Sequence, residues 1–205
     1  ISGGKWRMFG DFEGQNIFNS KLDYKKQFDE VNETDSAHYN LSINCRNTKP
    51  ISTYIELLGG IKNPYSKTLR DESNIQPDFA FYKNETEQIN LVTTAINQLK
   101  IDGYMDSDIV LLSPFTKECI AKKLLEKKDW QNRITEFNII NKDKILYTTI
   151  GKFKGLEAPA IIITDFISME MNQNLFYVGI SRALHRLSIF LHVRLQNNIN
   201  KIITN

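Results

Sequence analysis

The chain has 205 residues, a formal net charge of +2, 41% hydrophobic residues and 24% charged residues. That length suffices for one domain with a full core, and the composition is ordinary for a globular protein. No apolar run is long enough to span a bilayer and no basic start precedes an apolar signal segment, so neither a membrane partner nor export is expected.

The charge balance permits nucleic-acid binding through a local basic groove without announcing it. The two cysteines, Cys45 and Cys119, have no CxxC or Cys/His spacing, and the three histidines are scattered. A disulfide framework and a zinc site are therefore not expected. Cysteine usage of this kind fits a reducing compartment, and a cytoplasmic location is expected.

In chain order, Lys5 to Phe9 reads as a short strand running into Gly10-Asp11. The stretch from Lys21 to Ala37 reads as a helix followed by a loop. A strand is expected from His38 to Ile43, with Tyr39, Leu41 and Ile43 on one face, and Arg46 directly after it. Thr48 can cap a helix, Pro50 suits its first turn, and Gly59-Gly60 stops it. An arginine between a strand and a helix start is expected at the carboxyl edge of a sheet, where α/β folds bind ligands. Residues Lys62 to Gln76 read as a loop. Asp71-Glu72 lacks the apolar strand that a magnesium-binding acidic pair needs in front of it.

Asp78 to Tyr82 is an expected strand. A helix follows from Glu85 to about Leu99, with Asn84 and Glu87 in a capping-box pattern and Ile89, Val92, Ile96 and Leu99 as its apolar face. Asp108 to Leu112 reads as a buried strand, followed by Ser113-Pro114-Phe115 and a helix through Glu126. Lys117, Lys122, Lys123, Lys127 and Lys128 make this the most basic region, either a solvated face or a nucleic-acid contact. Lys144 to Thr149 is the next strand, Lys152 to Glu157 a turn, and Ala160 to Thr164 an apolar strand. The stretch from Asn174 to Leu187 begins as a helix with Leu175, Val178 and Leu184 at helical spacing. It carries Arg182 inside a packable segment, and the strand Leu187 to Val193 follows. Arg182 either pairs with a core carboxylate or is aimed by its packing at a site on the domain edge. Ile199, Ile202 and Ile203 mark a last helical stripe. Strands alternating with helices predict an α/β fold with a mostly parallel sheet covered on both faces.

Four stretches carry a family resemblance: FGDFEGQNIF (Phe9 to Phe18), LSINCRNTKPI (Leu41 to Ile51), TIGKFKGLEAPAIIITDF (Thr149 to Phe166) and FYVGISRA (Phe176 to Ala183). In this order they resemble motifs III to VI of the superfamily 1, UvrD-like helicases. The resemblance runs from about Phe9 to about Val193. It implies a RecA-like domain of the P-loop NTPase type, with residues 1–20 closing a first motor domain and 21–205 forming the second. The chain then looks truncated, and the missing N-terminal RecA-like domain is the expected partner.

The resemblance also implies roles. Gln15 would sense the terminal phosphate or its attacking water, with Asp11 orienting the loop. Arg46 and Arg182 would stabilise phosphate charge. Gly155, Glu157 and Tyr177 would contact the nucleotide, Glu157 at the ribose. Thr149 and Lys154 would touch DNA. ATP and Mg²⁺ are the implied cofactors, with the Mg²⁺ ligands in the missing domain, and single-stranded or partly duplex DNA is the implied substrate. The sequence contains no GxxxxGKS/T phosphate loop, so the chain alone is not expected to hydrolyse ATP. Cys45 stands where the family often has a base-stacking tyrosine, and Gly151 where it has a histidine. Two functions stay open: the second half of an ATP-dependent DNA helicase or translocase, or a catalytically incomplete RecA-like regulatory or interaction module of a larger repair or defence protein.

Overall fold

The computed structural model describes residues 41–60, 64–70, 73–137, 143–168 and 173–204. Asp11, Gln15, the expected elements before residue 41, the proposed division at residue 20 and the Asp71-Glu72 pair lie outside the described residues.

A six-stranded parallel sheet runs in the order β3 (Asp78–Tyr82), β8 (Ala183–His192), β7 (Ala158–Phe166), β4 (Ile109–Ser113), β6 (Ile145–Thr149), β5 (Ile134–Glu136). Its central strands are buried on both sides, and their side chains alternate between two cores. Ile161 and Ile163 of β7, Val110 and Leu112 of β4, and Leu187 and Ile189 of β8 enter one core. Ala160 and Ile162, Ile109 and Leu111, and Phe190 enter the other. This two-sided burial is what lets β7 read as an unbroken apolar run, because a strand covered on both faces has no polar side to show.

Helices α1 (Lys49–Leu58), α5 (Gln173–Ile180) and α6 (Gln196–Thr204) cover the first face, and α2 (Glu85–Ile101), α3 (Ile120–Leu125) and α4 (Lys128–Gln131) the second. Helix α2 forms as its sequence demands. The Asn84 side chain accepts from the Glu87 amide at 2.9 Å, and Glu87 reaches back to accept from the Lys83 amide at 2.8 Å. Acidic Glu85 and Glu87 open the helix and Lys100 closes it, the polarity that the helix dipole favours. Ile89, Val92, Ile96 and Leu99 are all buried, each contributing about 1.5–3 kcal/mol relative to exposure.

Several expectations are corrected. The first described strand, β1, spans Ile43–Thr48, so Arg46 lies within the strand rather than after it. Leu41 and Ile43 are exposed and form no buried face. Thr48 stands at the N-cap position of α1, but its buried hydroxyl makes no capping bond. The stretch read as a loop contains β2 (Lys67–Arg70), which pairs with β1 in a separate two-stranded parallel sheet. The helix after Ser113 starts only at Ile120. Leu184 belongs to β8, because the chain leaves α5 at Ile180 and re-enters the sheet at Ala183.

Among the side chains that join the small sheet to the large one, Asn47 is the most deeply buried. Asn47 is 2% exposed. Its Nδ2 donates to the carbonyls of Ser181 at 3.2 Å and Ala183 at 2.6 Å, and its Oδ1 accepts from Asn44 Nδ2 at 3.1 Å. Replacing Asn47 with Leu leaves two buried carbonyls without these donors, and each such loss costs about 1–3 kcal/mol. Urea denaturation of the Asn47→Leu chain is expected to show a destabilisation of that order. An unchanged midpoint would mean that the bridge is dispensable.

A second polar cluster closes the carboxyl ends of β4 and β7. The chain leaves β4 over one face through α3, and leaves β7 over the other through α5. This makes the gap between the two strands the topological switch point of the sheet. It is filled by Asp165, the one non-glycine residue with positive φ (69°) among the described residues. Asp165 accepts from Gln88 Nε2 at 2.6 Å and from the Ile120 amide at 3.2 Å. Burial raises its pKa, against the lowering effect of the bonds from Ser113, Gln88 and Ile120. A carboxyl raised in the folded state contributes most below its unfolded value of 3.8, and that contribution is lost as pH rises through the folded value. The stability of the wild type relative to Asp165→Asn, from urea melts across a pH series, is therefore expected to fall with rising pH. A difference that grows with pH would overturn the assignment.

Candidate functional site

A groove of about 470 Å³ opens beside the amino-terminal ends of β7 and β8. Its walls come from four places: β1, the β2 segment with Tyr65 and Arg70, Glu157 just ahead of β7, and the stretch from the end of α5 to the start of β8 with Tyr177, Ser181 and Leu184. The sequence placed the Arg46 cation at a carboxyl edge of the sheet. The structure places it at the amino edge, because β1 packs against the start of β8 and the switch point is filled by side chains.

Arg46 owes its direction to an irregularity in β1. The register between β1 and β2 shifts between Asn44 and Thr48. The Asn44 side-chain carbonyl accepts from the amides of both Arg46 and Asn47 at 3.0 Å. A side chain thus takes the place of ladder bonds, and the strand bends there, as bulges do. Arg46 Nε then donates to Glu157 Oε2 at 3.0 Å. Both side chains are close to half exposed (40% and 49%). A solvated pair of this kind stabilises by about 0–1 kcal/mol, so an incoming ligand can separate it at low cost.

Arg182 sits differently. It is 2% exposed and does not line the groove. Its Nε donates to the Val178 carbonyl at 3.0 Å, and Nη2 donates to Ser181 Oγ at 2.9 Å. No carboxylate lies within ion-pair distance of it among the described residues. The core carboxylate pair weighed from the sequence is not found among the described residues. Burial, and then the nearby Arg46 charge, push its pKa below the ordinary arginine value. Ser181, which faces the groove, stands between Arg182 and the open space.

The remaining expected residues divide. Tyr177 is buried and lines the groove with Glu157 and Arg46. Gly155 sits two residues before Glu157 with φ 89°, a turn conformation that suits glycine, and a Cβ there would meet open space. Lys154 is exposed in the same turn. Thr149 ends β6 at the opposite, carboxyl edge of the sheet, and its hydroxyl accepts from the Lys152 amide at 3.3 Å. Ile150 and Phe153 are buried in the first core, so the chain from Thr149 to Glu157 crosses the sheet while anchored to it.

Among the described residues, no three His, Cys, Asp or Glu side chains converge on a point that could hold a metal ion. Among the described residues no helix is long and apolar enough to cross a membrane. Sequence reasoning missed Tyr65 and Arg70. They stand in a turn-rich stretch with no apolar period, and only the pairing of β2 with β1 brings them to the groove.

The segment carrying Thr149, Glu157, Tyr177 and Arg182 is also the part of the chain that known families recognise. Residues 144–190 match the UvrD-like helicase C-terminal domain. The matched segment thus runs from β6 through most of β8 and supplies one wall of the groove. Among solved structures, the chain is similar to the C-terminal domain of a possible DNA helicase from Lactobacillus plantarum WCFS1. That likeness has a TM-score of 0.55 and 15% identity, over 72% of this chain and 87% of that one. It supports the RecA-like α/β fold. No curated protein matches the chain.

The burial of Arg182 without a paired carboxylate among the described residues generates a test. Burying a guanidinium without an opposite charge is costly, and an apolar side chain of similar volume avoids that cost. The Val178 carbonyl would still accept from Ser181 Oγ, which is 2.9 Å away. Arg182→Met is therefore expected to melt at or above the wild-type temperature in scanning calorimetry. A fall of several degrees would show that the hydrogen bonds of Arg182 hold the turn together.

Proposed function

We propose that this chain is the second half of an ATP-driven DNA helicase or translocase, contributing arginine and ribose contacts to a nucleotide shared with another RecA-like domain. The convergence of Arg46, Glu157 and Tyr177, from three separate segments, on one groove is the observation that carries the proposal. The sequence contains no phosphate loop, so the loop and the Mg²⁺ ligands belong to the partner domain. Phosphoryl transfer is accelerated mainly by positioning and charge stabilisation, so groups arriving from a second domain can switch it on.

In this proposal the Arg46–Glu157 pair opens when ATP enters. Arg46 turns to phosphate oxygens, Glu157 accepts a ribose hydroxyl, and Tyr177 walls the groove. Arg182 reaches the terminal phosphate only if the turn at Ser181 rearranges. Thr149 and Lys154, at the end of β6 and in the turn beyond it, contribute to the grip on a single DNA strand. Gln15 senses the terminal phosphate from the first domain. A second reading, a RecA-like module that regulates or docks without turnover, is favoured by one observation: Arg182 is sealed from the groove.

Isothermal titration of the 205-residue chain separates the two. ATP is expected to bind weakly, with a dissociation constant no higher than about 10 mM. Arg46→Ala should weaken it about tenfold, the scale of one charge-assisted phosphate contact. The 2′,3′-dideoxy analogue should bind more weakly than ATP, and Glu157→Ala, which removes the acceptor, should abolish that difference. Absence of ATP binding, or binding indifferent to the ribose hydroxyls, would favour the module.

A further inference from the structure

We infer that Arg70 is a further phosphate-binding residue of the groove, acting beside Arg46 on the polyphosphate of the same ligand. This rests on the nucleotide reading of the groove. It goes beyond that reading by assigning a residue from outside the UvrD-like segment. The resemblance had given the second cation to Arg182, which is sealed behind Ser181, whereas Arg70 lines the groove itself.

The geometry holds Arg70 next to Arg46. Arg70 ends β2, paired in register with Thr48 of β1. Its Nη1 donates to the Arg46 main-chain carbonyl at 3.0 Å, which ties the guanidinium to the very residue whose side chain meets Glu157. Its Nη2 lies 2.6 Å from His185 Nε2. An arginine has only donors to offer, so His185 Nε2 is the acceptor and the imidazole carries its proton on Nδ1. Two anchors on two different strands fix the plane of the guanidinium. A planar fork held in this way recognises phosphate oxygens with more geometric selectivity than a flexible ammonium.

The charges of the walls agree. Among the described residues lining the groove, two are arginines (Arg46 and Arg70) and one is a carboxylate (Glu157). Tyr65 and Tyr177 flank the same space with rings, and Asn44 and Ser181 add polar groups. Such a lining suits an anion carrying an aromatic base, and it places the phosphates toward the paired strands β1 and β2.

Side-chain NMR of the ¹⁵N-labelled chain tests the assignment. The arginine Nε–H resonances are followed during titration with inorganic triphosphate at low ionic strength. Arg46→Lys and Arg70→Lys identify the two signals. Both are expected to shift along one binding curve. Arg70→Lys should weaken binding about threefold and Arg70→Ala about tenfold, since a point charge reproduces the charge but not the fork. The wild-type titration stands even if a variant folds poorly. If the Arg46 signal shifts and the Arg70 signal stays fixed, the inference is overturned and the nucleotide reading survives. If neither moves at about 10 mM triphosphate, on the order of a few kcal/mol of binding, the nucleotide reading fails and the inference fails with it.

Discussion

The side-chain amide of Asn47 holds this molecule in its working arrangement. It donates to two carbonyls on the α5–β8 turn, at Ser181 and Ala183, from a strand that shares no ladder with the large sheet. One side chain can satisfy both carbonyls because the Asn47 amide nitrogen carries two hydrogens, and a buried carbonyl left open is expensive. The carbonyl of Arg182, between them, accepts from the Ala158 amide at 3.2 Å. The same turn therefore locks β7, β8 and β1 together. Arg46, Glu157, Ser181 and Tyr177 share a groove because these backbone groups have nowhere else to go.

Two arginines illustrate opposite electrostatic situations a short way apart. Arg46 is solvated and paired, so its partner can be exchanged cheaply. Arg182 is desolvated, and its hydrogen bonds among the described residues go to the neutral Val178 carbonyl and Ser181 hydroxyl. A buried guanidinium without an adjacent carboxylate is held at a desolvation cost that an opposite charge would offset. The fold thus presents one cation ready to move and one that needs an anion or a rearranged turn.

What the sequence disclosed depended on whether a feature was local. Helix α2 was legible because its cap, its dipole charges and its stripe all lie within one run of residues. The parallel sheet was legible from alternating apolar strands and helices. The strand containing Arg46 was misplaced, because Leu41 and Ile43 mimic a buried face that the structure leaves exposed, and because the Asn44 side chain replaces ladder bonds. Strand β2 was invisible: Lys67, Thr68, Leu69 and Arg70 show no burial pattern until β1 lies beside them. Arg46, Glu157 and Tyr177 were found through motif order, and their convergence on one groove is a tertiary fact. The opposite-edge position of Thr149 likewise follows from how Ile150 and Phe153 anchor the connection to β7.

The residue next to Arg46 gives the groove a chemical address. Cys45 lines it and is exposed, whereas Cys119, the other cysteine of the chain, is buried at the start of α3, where burial raises its thiol pKa. Thiolate is the reactive form, so an alkylating reagent meets one accessible sulfur and one protected one. The wild-type protein can therefore carry a single fluorophore or spin label at the groove, one residue from the Arg46–Glu157 pair, with no cysteine removed.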